Sequence, residues 1–127
     1  MNIRRILLIP LLLCAAAPEV DWSSPQRVDI VMNDYNFVPG HLTFQHGTVY
    51  RLHLQNQGKA IHEFTAPGFF MAATVRDPRL LIAGGKEVSV APGASVDVDL
   101  VPNRVGSYAL SCADHDWAGM VGEILVK

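Results

Sequence analysis

From residue 28 onward, apolar residues recur at every second position in short runs, and each run ends in turn residues. VDIVM places Val28, Ile30 and Met32 on one face. HLTFQ turns Leu42 and Phe44 inward, and TVYRLHLQN puts Tyr50, Leu52 and Leu54 opposite Arg51, His53 and Gln55. AIHEFTA (60–66), KEVSV (86–90), SVDVDLV (95–101), SYALSC (107–112) and MVGEILVK (120–127) continue the series. Turn residues separate the runs, as in Pro39-Gly40, His46-Gly47, the NQGK segment and APGA at 91–94. A period of two in short segments, punctuated about every ten residues, describes an all-β sandwich or barrel. Residues 67–85 break the rhythm. Their apolar block FFMAA predicts a short helix over 69–73, followed by a loop around Asp77-Pro78. No internal repeat or low-complexity segment is present.

The first 17 residues stand outside this pattern. Arg4 and Arg5 precede an apolar run from Ile6 to Leu13, and Ala15 to Ala17 follow. That order is the layout of a secretory signal peptide. The run is shorter than the roughly 20 apolar residues that a membrane-spanning helix needs. The expected organisation is a signal peptide over 1–17, a polar linker over 18–27 and one domain over 28–127. Pro18 makes cleavage directly after Ala17 awkward. Cys14 follows three leucines, but a lipidated cysteine normally follows a small residue, and Leu13 argues against an anchor. Loss of Arg4 and Arg5 leaves eight basic against twelve acidic residues, a mature net charge of about −4. An acidic surface disfavours nucleic acid. The expected location is periplasmic or otherwise exported, with no membrane span in the mature chain.

Removal of the leader also removes Cys14 and leaves Cys112 as the one cysteine. In an oxidising compartment a lone thiol is buried and inert, bridged to another chain or committed to chemistry. Its neighbourhood favours the third fate. CADHDWAGM spaces Cys112, His115 and Met120 as C-x2-H-x4-M on one loop between two strands. The strands already hold the ends of the loop, so gathering its donors around an ion costs little entropy. A fourth donor must come from elsewhere, and His62 stands beside a turn on a strand that can reach the same end of the sandwich. A thiolate, two imidazoles and a thioether suit copper. Zinc prefers four comparably strong ligands, and iron–sulfur clusters need more cysteines. Histidines 41, 46 and 53 fall in turns or on an outward face and compete poorly, although His41 and His46 together could form a second surface copper site.

SYALSCADHDWAGMVGEILV resembles the C-terminal copper segment of the plastocyanin and pseudoazurin branch of the cupredoxins, and NDYNFVPGHLTFQHGTVYRLHLQN resembles their N-terminal strands. The likeness covers residues 28–66 and 86–127. It implies a Greek-key β-sandwich with one type 1 copper alternating between Cu(I) and Cu(II). His62, Cys112 and His115 would be equatorial ligands and Met120 axial. The implied role is a monomeric carrier of single electrons between redox proteins such as a cytochrome or a copper enzyme. The alternative is a periplasmic copper-handling protein for tolerance, storage or delivery. An enzyme of the nitrite reductase or multicopper oxidase type is disfavoured, because such enzymes need a second copper site and further domains. Three positions depart from the family. Asp114 stands where proline is frequent, Glu63 where an asparagine braces the cysteine loop, and Ser111 where an aromatic residue often precedes the cysteine. If ionised, the two carboxylates would favour Cu(II) and lower the potential. Trp117, inside the ligand loop, would either cover the site or face a partner. Asp114 and Asp116 would be solvated or form an acidic rim, and Arg76 and Arg79 would be surface charges.

Overall fold

The computed structural model describes residues 10, 12–16 and 18–127. Most of the expected signal peptide therefore lies outside the described residues. Within them, no helix is long and apolar enough to cross a membrane.

Two five-stranded sheets pack face to face. The first eight elements are β1 (Gln26–Asn33), β2 (Asn36–Val38), β3 (His41–Phe44), β4 (Tyr50–Asn56), β5 (His62–Thr65), α1 (Pro67–Met71), β6 (Ala73–Val75) and β7 (Glu87–Val90). They are followed by β8 (Ser95–Pro102), β9 (Gly106–Ser111) and β10 (Val121–Val126). One sheet runs β2-β1-β4-β8-β6 and the other β3-β10-β9-β5-β7. The chain changes sheet repeatedly, as a Greek-key sandwich requires. Two pairs, β1 with β4 and β3 with β10, are parallel, and the rest are antiparallel.

The period-two residues form the core. Ile30, Met32, Leu52, Leu54, Val98 and Leu100 from one sheet meet Phe44, Phe64, Leu110 and Ile124 from the other, all with 1 % exposure or less. Each such side chain stabilises the fold by roughly 1.5–3 kcal/mol. The inward faces of β3 and β4 are those that the alternation predicts. Two short strands differ from expectation. The stretch before the Pro39-Gly40 turn shows no alternating run, yet it contains β2, which pairs with β1 through Val31 and Val38. The helix expected over 69–73 occupies Pro67–Met71, and Ala73 begins β6 instead. Pro67 explains the shift, since its fixed φ suits the first position of a helix. Five residues make no stable helix alone. Phe69 and Phe70 anchor this one, with Phe69 stacked on Phe44 at 5.4 Å between ring centres.

Alternation also fails on β8, where Asp99 is 8 % exposed. Its carboxylate accepts two hydrogen bonds from Arg51 (2.7 and 2.9 Å) and one from Arg76 (3.2 Å). The neighbouring guanidinium of Arg51 holds the Asp99 carboxyl below its ordinary range. Arg76 also lies over the ring of Trp22 at 5.8 Å, which ties the segment before β1 to the sheet.

Candidate metal centre

Strands β9 and β10 form the neck of the ligand loop. Val121 pairs with Ser111, and the Cys112 amide donates to the Met120 carbonyl at 3.0 Å. Within the loop, the His115 amide donates to the Cys112 carbonyl (3.1 Å), and a single 3-10 turn spans Asp116–Ala118. Gly119, at φ +80°, then redirects the chain into Met120. That left-handed conformation is one that glycine adopts without steric cost. Strand β5 lies beside β9, with Thr65 opposite Ser111, and this pairing carries His62 to the same end.

Three of the four residues expected as ligands converge. Cys112 Sγ is 3.8 Å from His62 Nδ1 and 3.4 Å from His115 Nδ1, and the three donor atoms lie within 4.8 Å of one another. Bond lengths near 2.05 Å to nitrogen and 2.3 Å to sulfur, at angles between tetrahedral and trigonal, separate nitrogen from sulfur by about 3.6–3.8 Å. The 3.8 Å spacing lies in that range and the 3.4 Å spacing about 0.2 Å below it, so the trio is close to the arrangement that one first-row metal ion needs. His62 and Cys112 are wholly buried, and His115 is half-buried. Met120 is also wholly buried where the loop closes. Its backbone is tied to both Cys112 and His115.

The surroundings of Cys112 bear on its charge. The Glu63 amide donates to Sγ at 3.4 Å, and the thiol donates to Glu63 Oε2 at 3.1 Å. Burial pushes the Cys112 thiol up to about 11. Burial also raises the Glu63 carboxyl, and a hydrogen bond with Asp114 adds to the rise. The carboxylates expected near the site are thus present, but desolvation favours the protonated form of Glu63, which weakens its expected effect on the potential.

Four residues that sequence reading passed over shape the site. Asn56 is buried at the end of β4. Its Nδ2 donates to the carbonyls of Ala60 and Val90, and its Oδ1 accepts from the Gly58 amide, so the turn leading into His62 is fastened from inside. Asp34, between β1 and β2, accepts from the Lys59 amide at 2.8 Å and from His62 Nε2 at 2.6 Å. The Lys59 amide, aided by His62, holds the Asp34 carboxyl below its ordinary range. Gly58 leaves room for that contact. Tyr35 lies against His115 with ring centres 4.8 Å apart and planes inclined by 33°. An asparagine ending a strand beside a turn was the one available sequence signal, at Asn56. Asp34 and Tyr35 have none, because their partners are distant in the chain.

Trp117 is 78 % exposed, and its indole nitrogen donates to the Asp114 carbonyl. It therefore faces solvent, and Tyr35 is the ring that covers the imidazole. Asp114 and Asp116 are exposed beside it. His41 and His46 are exposed, and His41 lies 3.7 Å from Glu123. Among the described residues the one group of three potential ligands is His62, Cys112 and His115.

A two-sheet sandwich with a buried cysteine and two histidines at one end defines a class of β-sandwich domains able to hold a metal. The family model "Cupredoxin-like domain" matches residues 5–126, and the chain belongs to that family. No curated protein matches it in sequence. Among solved structures it is similar to auracyanin B, with 22 % identity and a TM-score of 0.62 over 85 % of this chain and 93 % of the other. It is also similar to dithionite-reduced auracyanin from the photosynthetic bacterium Roseiflexus castenholzii, at 16 % identity and a TM-score of 0.60, covering 83 % and 99 %. A multi-copper oxidase from Pediococcus acidilactici matches at 17 % identity and a TM-score of 0.63. There 97 % of this chain covers 30 % of the oxidase. At these identities the likeness establishes the fold.

Proposed function

We propose that this chain is an exported blue-copper protein that holds one type 1 copper and carries single electrons between redox partners, without being an enzyme. His62, Cys112 and His115 would hold the metal, with Met120 as a fourth donor. Residues 1–17 are the leader, and 28–127 form the copper domain, which acts as a monomer. The observation that carries this reading is the convergence of two Nδ1 atoms and one Sγ at metal-binding spacing in a water-poor end of the sandwich. When bound, copper supplies one-electron chemistry by alternating between Cu(I) and Cu(II).

The chain's own residues keep the cage still. Backbone hydrogen bonds close the 112–120 loop, Asn56 fastens the turn before His62, and the Glu63 amide points at the thiolate. Donors that cannot move impose a small rearrangement when charge changes, and small rearrangement makes transfer fast. His115 is the least buried of the four, and with Tyr35 and Trp117 it forms the face through which electrons enter and leave. Solved auracyanin structures of the same fold, one of them in a dithionite-reduced form, support the reading.

The visible spectrum of the copper-loaded protein tests it. An intense blue band that vanishes in Cys112→Ala is expected, and a band that survives refutes the ligand assignment. Copper that stays bound against a chelator while electrons exchange rapidly supports a carrier. Ready release to the chelator makes the protein a copper handler instead.

A further inference from the structure

We propose that Asp34 is the positioning residue for His62: its carboxylate fixes the tautomer and direction of this imidazole and stabilises the more highly charged state of the metal. This rests on His62 being a ligand, as proposed above.

The geometry is specific. Asp34 Oδ1 lies 2.6 Å from His62 Nε2, on the edge of the ring opposite the Nδ1 that faces Cys112. An ionised carboxylate only accepts hydrogen bonds, so Nε2 must carry the proton and Nδ1 must present its lone pair to the metal. The carboxylate is itself held. Lys59 donates its amide to Oδ2 at 2.8 Å and Ala60 donates to Oδ1 at 3.3 Å. The ring is wholly buried, while the Asp34 side chain is 25 % exposed. One face of the contact is thus dry, and its strength is not lost to water. Gly58 completes the arrangement. A Cβ there would overlap Asp34 Oδ1 and come within 2.9 Å of His62 Nε2. The glycine is required by the close approach of acid and ring.

A hydrogen-bonded carboxylate makes an imidazole a stronger donor, and its negative charge favours the metal state with one more positive charge. Asp34 therefore biases the site toward Cu(II). In Asp34→Asn one oxygen becomes an NH2 group, so the side chain keeps an acceptor for only one of the two positions that the backbone amides address, and the charge is gone. The ratio of Cu(II) to Cu(I) affinity should fall about tenfold, which raises the potential by about 59 mV for a one-electron couple.

The experiment compares wild type, Asp34→Asn and Gly58→Ala by spectroelectrochemistry, with unfolding curves for each. Both variants should shift the potential upward. In the metal-free wild type, proton NMR should show a far-downfield, slowly exchanging His62 Nε2–H that moves upfield in both. Should Asp34→Asn fail to fold, Gly58→Ala carries the same test with the charge retained but displaced. Folded, blue variants whose affinity ratio changes less than twofold overturn the inference, even if their stability falls, because a purely structural role leaves the potential in place. A wild type that never turns blue refutes the proposed function instead, and the NMR signal still reports whether the acid holds the ring.

Discussion

Raising the pH of the metal-free protein from about 8 to about 11 sets the folded and unfolded chains apart at a single thiol. In the unfolded chain Cys112 ionises near its ordinary value of 9.0, whereas burial holds the folded thiol to about 11. Below the lower value both states keep the proton, and the group contributes nothing to the pH dependence. Between the two values the unfolded chain has released a proton that the folded chain retains. The unfolded state then binds fewer protons, so stability falls as pH rises. Two units at 1.36 kcal/mol each give a loss of roughly 2–3 kcal/mol by the upper value. The residue is wholly buried, so solvent screening does not reduce this much. Urea unfolding of metal-free wild type and Cys112→Ala across that range isolates the effect, since tyrosine and lysine titrations are common to both. The wild-type curve should steepen downward relative to the variant above about pH 9. Parallel curves would refute the claim that the folded thiol resists ionisation. The same reasoning requires metal uptake at neutral pH to release the thiol proton, which calorimetry in buffers of different ionisation enthalpy detects.

Other expected outcomes follow from the packing. Asp99→Ala strands Arg51 and Arg76 and should cost about 1.5–3 kcal/mol in urea unfolding. Because the Asp99 carboxyl is held below its ordinary value, its contribution is present above about pH 4 and fades as pH falls further, so the variant should lose less stability in acid than wild type. At Gly122 an added Cβ would overlap the Gly40 carbonyl oxygen and reach 3.0 Å from Leu110, so Gly122→Ala should lower stability by about 1–3 kcal/mol and loosen β10, two residues from Met120. Trp117→Ala should leave stability within about 0.5 kcal/mol of wild type while slowing electron exchange with partners, measured by stopped-flow mixing.

Alternation of apolar residues was enough to place most of the strands, because a half-buried strand must show one face to the core, and that demand is local. Elements of three residues escaped it. β2 lies inside a turn-rich stretch, and β6 takes Ala73 from the expected helix, since three positions are too few to display a period. Strict alternation also misread Asp99, whose burial depends on guanidinium groups from Arg51 on β4 and from Arg76 just after β6. At the site, Cys112, His115 and Met120 were legible because one loop carries them. His62 was reached through its turn and by elimination of the other histidines.

The order of residues alone determined an all-β chain with Cys112 set among soft donors, because strand periodicity and ligand spacing are properties of neighbours along the backbone. Tertiary structure decided the rest. It brought His62 within 3.8 Å of the cysteine sulfur and set Asp34 behind that imidazole. It also laid Tyr35 over His115 and turned Trp117 to the solvent. Those contacts join segments tens of residues apart, and only the packing of two sheets fixes the distance between them.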